Sequence, residues 1–356
     1  MRRNRKESDS DVIRINRTSE QGFKAYLGDV DITFGKLGIN EITHPTVLEN
    51  ELETHAITTD WVSPYIAGKV VNGTPGGDHA AVGGNHGTSS GSGYPTANNL
   101  STNITVDDSS VNNSVNTTAK KVVVTVKNEI TLKENINLTT GERESVDAIE
   151  TVTYTLERNH MAVHVELKAL TPMYIYWYMG LQSTNAYFNK AYFTYDEEIN
   201  GIYDYDRNRL DSGTKGSSPN MDRVTMLNAN DELMHVYTDK DFGIGYDYIP
   251  DDTVIAYLRE NNLKFYYHLV KPGQNLIFDT NQSHSYRGGY IFSKKEGVNA
   301  YVTRFVEGGV KKAIVDFRSA ATEQIEYTSI EESVNVTGNG TSLTASTNNA
   351  YAKVVI

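Results

Sequence analysis

The segment GGNHG at residues 83–87 sets a carboxamide and an imidazole between glycines. Glycine permits close backbone approach, so such a turn can present its side chains and its own amides to a ligand. Asn85 and His86 can hydrogen-bond the hydroxyls of a sugar. His86 can also serve as a general base, because an unperturbed imidazole titrates near ~6.5. Tyr94, further along the same loop, is the candidate proton-transfer partner, and His79 adds a second imidazole at its start. The chemistry would be hydroxyl recognition, or proton abstraction beside the carboxylate of an acidic sugar. Asn-His-Gly is equally a good turn, in which His86 satisfies a neighbouring carbonyl.

Three more groupings carry chemistry. In HMAVHVELKAL, His160, His164 and Glu166 share one face of a strand, opposite Met161, Val163, Val165 and Leu167. Residues four apart on a strand lie about 13 Å apart, so the two imidazoles cannot hold one metal ion without a bulge. The face reads as a polar groove that meets a ligand, or as plain solvated surface. In MYIYWYMG, Tyr174, Tyr176 and Tyr178 alternate with Met173, Ile175 and Trp177. The apolar set fits the core, which leaves the tyrosine row either exposed, with Tyr176 and Tyr178 as rings on which sugar C–H faces can stack, or packed against a second layer of the same protein. In SYRGGY, Arg287 stands beside two glycines and could grip a carboxylate or phosphate as a two-pronged donor, or equally form a structural salt bridge. His44 and His55 flank three glutamates without H-E-x-x-H spacing, and their segment reads as helical surface. No metal site and no cofactor motif is expected.

The elements that must position these groups are mostly strands. TVTYTLER, KKVVVTVKNEI, NLKFYYHLV, AYVTRFV and KKAIVDF alternate with period two or run apolar, between Asn, Gly, Asp and Pro clusters. The expected fold is mostly β: an antiparallel sandwich with long irregular loops and one or two short helices. The helix candidates are PDDTVIAYLRENN and PTVLENELETH. Residues 1–20, beginning MRRNRK, read as a mobile arm, and 21–356 as a single large domain with irregular insertions near 72–119 and 196–220. The end of the chain reads as a hairpin around Gly338 and Gly340.

Composition narrows the classes. The 356 residues carry a net charge of −12, which disfavours nucleic acid and anionic lipid. The absence of cysteine excludes disulfides, thiolate catalysis and Cys-type zinc sites. No apolar run approaches the ~18 residues of a membrane-spanning helix, and no secretion signal is recognisable.

The stretch DWVSPYIAGKVVNGTPGGDHAAVGGNHG, followed by YPTA, resembles a module of tail-associated proteins of bacteriophages of Gram-positive hosts. VTYTLERNHMAVHVELKALTPMYIYWYMGLQS is similar to the later part of the same module, so the likeness covers roughly residues 55–190. The aromatic strand also looks like that of sugar-binding β-sandwiches of the mutarotase and polysaccharide-lyase kind. The resemblance implies a virion protein, made in the host cytoplasm and released by lysis, that contacts host cell-wall or capsular polysaccharide and attaches the phage to its receptor. Its partners would be that polysaccharide, other tail proteins and further copies of itself. The alternatives are a polysaccharide lyase or hydrolase using His86 and Tyr94, and a structural adaptor of the tail or baseplate. The expected ligand contacts are His79, Asn85, His160, His164, Glu166, Tyr176, Tyr178 and Arg287.

Overall fold

The computed structural model describes residues 13–19, 22–28, 30–48, 51–58, 65–84, 86–89, 92–111, 115–184, 188, 190–195, 198–204, 213–218, 223–228, 230, 232–239, 242–243, 254–259, 262–267, 269–294, 300–318, 325–331, 335–338 and 343–346. Strands dominate them, and the one helical element is the single turn Lys133–Asn135. The backbone of the fold is a ten-stranded antiparallel sheet. Its order is Ser109–Ser110, Ala97–Val106, Lys121–Ile130, Ala148–Glu157, His160–Ala169, Ser283–Lys294, Glu232–Thr238, Arg223–Leu227, Lys190–Tyr195, Glu198–Asp204.

Alternation explains why one side of this sheet is core. Along Lys121–Ile130, Val122, Val124 and Val126 are buried while Lys127 is exposed. Their neighbours Val152, Tyr154 and Leu156 are buried, and so are Met161, Val163, Val165 and Leu167 on the next strand. Each such side chain taken from water contributes roughly 1.5–3 kcal/mol. Two smaller sheets cover this inner face. A six-stranded sheet, Val115–Ala119, Ile13–Ser19, Gly22–Leu27, Val30–Gly35, Gly38–Leu48, Glu51–Thr58, brings the Phe34 ring edge-on to Tyr154 at 5.2 Å. A second sheet built on Tyr65–Val71 and Met173–Tyr178 sets Tyr178 edge-on to Tyr286 at 5.4 Å. Most of the buried apolar residues from Ile13 to Phe292 form one cluster.

The chain ties the layers together where it leaves the edge of one sheet for the edge of the other. Val115–Ala119 pairs with Ile13–Ser19, and Lys121–Ile130 then returns to the large sheet. Asp107 holds this crossing by accepting hydrogen bonds from the backbone N–H groups of Lys120 and Lys121, both 2.9 Å.

Four expectations change. Residues 13–19, assigned to a mobile arm, form a strand paired on both sides; residues 1–12 lie outside the described residues. The region 72–119 is largely strand: ANNLSTNITV is polar because it lies near the edge of the sheet, yet its pairing with Lys121–Ile130 makes it regular. Strands Glu198–Asp204 and Gly213–Ser218 occupy much of 196–220. Both helix candidates are hairpins: Gly38–Leu48 pairs with Glu51–Thr58, and Val254–Arg259 with Asn262–Tyr267. Their β-branched and aromatic residues suit strands, and the ladder outweighs a weak helical stripe. The closing hairpin is present as Asn335–Gly338 against Leu343–Ser346.

Candidate functional site

The outer face of the ten-stranded sheet carries the candidate site. His164, Glu166 and Lys168 are exposed on it, as the alternation requires. Antiparallel register places Arg287 opposite His164 and Ser285 opposite Glu166. On the other flank Thr153 lies opposite His164, and Thr125 opposite Thr153. With Asn103 beyond Thr125, a polar row Asn103–Thr125–Thr153–His164–Arg287 crosses five strands. At the usual spacing between strands it is roughly 20 Å long.

A ring and an ion pair stand at one end of that row. Arg287 Nε donates to Asp239 Oδ2 at 2.6 Å, and its guanidinium carbon lies 4.1 Å from the centre of the Phe242 ring. His164 meets the same ring edge-on at 5.3 Å. Phe242 is therefore held between the imidazole and the guanidinium. The strand Glu232–Thr238 delivers Asp239, and the turn at Phe242 and Gly243 folds back over Ser285. That approach demands glycine, since a Cβ on Gly243 would lie 1.9 Å from the Ser285 carbonyl oxygen and its φ is +61°. Partial burial, helped by Arg287 and opposed by Glu166, lowers the His164 pKa. At neutral pH the imidazole is thus a neutral donor and acceptor beside a permanent cation. The arrangement offers a planar cation, an aromatic edge, a neutral imidazole and rows of hydroxyls.

The same face is closed at His160, which was expected to be open with His164. His160 is 1% exposed, and its Nε2 lies 2.7 Å from the Tyr237 hydroxyl. Tyr237 donates to Glu307 Oε1 at 3.4 Å, so the His160 N–H is the donor to Tyr237. Above them, Glu157 accepts hydrogen bonds from the backbone N–H groups of Gly308 and Gly309, at 2.8 and 3.1 Å. The hairpin turn so docked covers His160. Burial, and then Glu307, drives the Tyr237 pKa up. His235 and Thr225, also buried, bond to each other at 2.8 Å, and burial pushes His235 down to about 3.

The tyrosine row is corrected as well. A register shift between Ile175 and Trp177 breaks the alternation. Tyr178 becomes core, edge-on to Tyr65 and Tyr286, while Trp177 is only half-buried. Tyr174 is buried too and donates to the Asp78 carbonyl at 3.0 Å. Tyr176 remains half-exposed and stacks on His79, with centroids 4.1 Å apart and planes 11° apart. The structure thus joins His79 to Tyr176 and sets Arg287 opposite His164, with Glu166 two residues further along the same face.

Within the glycine loop, Gly87–Ser89 pairs antiparallel with Ser92–Pro95. Thr96, fully buried, accepts from Gly83 N–H through its hydroxyl and donates to the His86 carbonyl, both at 2.9 Å. Tyr94 donates to the Thr139 carbonyl at 2.8 Å, and its ring lies over Gly141, where a Cβ would come within 2.3 Å of it. Tyr94 is thereby used for packing. Asn85 lies outside the described residues.

Asp239, Phe242 and Tyr237 were not singled out in the sequence. Their signal is faint: an Asp and a Phe-Gly pair directly after the strand Glu232–Thr238. Among the described residues no group of three or more His, Asp or Glu side chains is gathered to hold a metal ion.

No protein-family model and no curated protein matches the chain. Among solved structures it is similar to an α-galactosidase from Lactobacillus brevis, with a TM-score of 0.42 and 7% identity over 77% of this chain and 39% of that one. It is also similar to the Slr1438 protein of Synechocystis sp. PCC 6803, with a TM-score of 0.36 and 10% identity over 81% of this chain and 97% of that one. The chain spans well under half the length of the α-galactosidase. Likenesses this distant assign neither a fold family nor an activity.

Proposed function

We propose that the chain is a bacteriophage tail or fibre protein that binds a polysaccharide of the host cell surface, through the outer face of its ten-stranded sheet. One observation carries the reading: Arg287, Phe242 and His164 stand together at the end of a row of threonine and asparagine side chains. A long, shallow, hydroxyl-rich face suits an extended chain of sugars. The guanidinium suits a carboxylate or phosphate on that chain, and the ring suits a sugar's apolar face. The resemblance at residues 55–190 supplies the virion setting, in which other tail proteins and further copies of the chain are the partners.

The test incubates purified protein with host wall and capsule preparations and measures retention. Ultraviolet absorbance follows unsaturated products, and a second assay follows new reducing ends. Arg287→Ala removes hydrogen bonds to a charged partner, worth roughly 1.5–3 kcal/mol, and should weaken retention roughly 10–150-fold. Phe242→Ala should weaken it too. Retention unchanged in both variants overturns the assignment of the face. Unsaturated product would make the protein a lyase, and reducing ends alone a hydrolase. No retention of the wild type on any preparation would leave the adaptor reading standing instead.

A further inference from the structure

The stacked pair His79 and Tyr176 belongs to the small sheet built on Tyr65–Val71 and Met173–Tyr178, and the polysaccharide reading makes no use of it. A bulge creates the pair. Ile175 lies opposite Ala67 and Trp177 opposite Ile66, so Tyr176 is the extra residue between them. Bulges re-aim side chains and recur beside functional sites. Here Ile175 stays fully buried, while the Tyr176 ring is half-buried against the imidazole. The loop that brings His79 to it is held at three points. Gly76 N–H donates to the Lys69 carbonyl at 2.9 Å, the Tyr174 hydroxyl donates to the Asp78 carbonyl at 3.0 Å, and Asp78 Oδ1 accepts from Lys133 Nζ at 3.2 Å. Gly68 makes the second hold possible, since a Cβ there would lie 2.2 Å from the Asp78 carbonyl oxygen and 2.9 Å from the Tyr174 ring. A loop fixed in advance loses little freedom when a ligand arrives.

The same contacts set the tautomer of His79. Burial, and then the Glu134 carboxylate, raises the Tyr174 pKa, so the phenol keeps its proton and commits it to the Asp78 carbonyl. His79 Nδ1, 3.4 Å from the phenol oxygen, is left to donate. A neutral imidazole protonated at Nδ1 carries its lone pair on Nε2, and no described residue bonds to that atom. Asp78 lends Oδ1 to Lys133 and is exposed, which leaves Oδ2 as a second acceptor on the adjacent residue. The charges that hold the loop balance. Lys133 pairs with Asp78, and Lys69, whose Nζ donates to Asn135 Oδ1 at 3.4 Å, binds Glu134 Oε1 through its backbone N–H at 3.0 Å.

We propose that Asp78, His79 and Tyr176 form a site for one neutral sugar ring: neighbouring hydroxyls donate to His79 Nε2 and Asp78 Oδ2, and the sugar's C–H groups pack against the open side of the stacked rings. Two adjacent acceptors suit a pair of hydroxyls, and half-buried rings suit an apolar sugar face. A uronate or a phosphate would set a further negative charge against Asp78 and Glu134. The site stands on a different sheet from the polar row and does not depend on it.

Ligand-observed magnetic resonance titrations of the whole protein with glucose, glucuronate and glycerol test this. Glucose should bind, and glucuronate roughly fivefold or more weakly, because its carboxylate meets Asp78. Glycerol offers neighbouring hydroxyls without a ring face and should bind more weakly than glucose. His79→Phe keeps the stack and removes the acceptor, and should weaken glucose roughly 2–13-fold. Tyr176→Ala should abolish binding, and Tyr176→Phe should preserve it. Should Tyr176→Ala fail to fold, His79→Phe decides. Glucuronate binding as tight as glucose overturns the neutral ligand, and glycerol binding as tight overturns the stacking. No glucose binding by the wild type, or binding left unchanged by His79→Phe or by Tyr176→Ala, overturns the site. Polysaccharide retention through the outer face should survive His79→Phe, and glucose binding should survive Arg287→Ala, so the two sites fail separately.

Discussion

Glu150 sits fully buried on the inner face of the large sheet, and its replacement by glutamine should change how stability depends on pH. Asn128 Nδ2 donates to its Oε1 at 3.3 Å, while Oε2 is buried without a hydrogen-bond partner. Burial therefore outweighs the single donor, and the carboxyl pKa rises from 4.5 to about 8. An unfolded chain releases this proton near its ordinary pKa, whereas the folded chain keeps it until pH 8. The unfolded state thus binds fewer protons between those values, and stability falls as pH rises. The contribution is fully present below pH 4.5 and is lost on passing through pH 8. At about 1.36 kcal/mol per unit, the shift amounts to roughly 5 kcal/mol across the window. Glutamine keeps the shape and the acceptor for Asn128, and cannot ionise. Urea unfolding of wild type and Glu150→Gln, in buffers from about pH 5 to about pH 8 at fixed ionic strength, gives the difference directly. The variant should gain on the wild type by about 1.4 kcal/mol for each pH unit. A difference that stays flat across the window would refute the argument, because it would mean that the carboxyl is already ionised in the fold or reaches solvent.

Two further outcomes rest on buried hydroxyls. Tyr237→Phe removes the group shared by His160 and Glu307 and should lower stability by about 1–3 kcal/mol, read as a lower melting temperature, with polysaccharide retention intact; an unchanged melting temperature would show that the pair is not formed. Thr96→Val keeps the volume but strips the hydrogen bonds to Gly83 and His86, and should cost a similar amount and speed amide exchange at residues 83–87. Exchange at the wild-type rate would mean that the loop is held by other contacts.

The sequence by itself determined the strands at 121–130, 151–157 and 160–169, and the inward faces of the last two. In those two a period of two leaves no competing pattern, and the buried side is the apolar one. It also determined that His164 and Glu166 share one polar face. Local pattern failed where a strand is short or polar enough to mimic something else: Val254–Arg259 resembles a helix until its partner Asn262–Tyr267 is in place. It failed again at Met173–Tyr178, where one shifted register exchanges the places of Trp177 and Tyr178. Only the tertiary structure decided that His160 and His164, two pleats apart on the same face, have opposite fates. A hairpin more than a hundred residues away, docked through Glu157, buries the first, while the turn bearing Phe242 leaves the second open beside Arg287. Alternation fixes which side of a sheet a residue takes. What covers that side depends on contacts between distant segments, and those have no local signature in the chain.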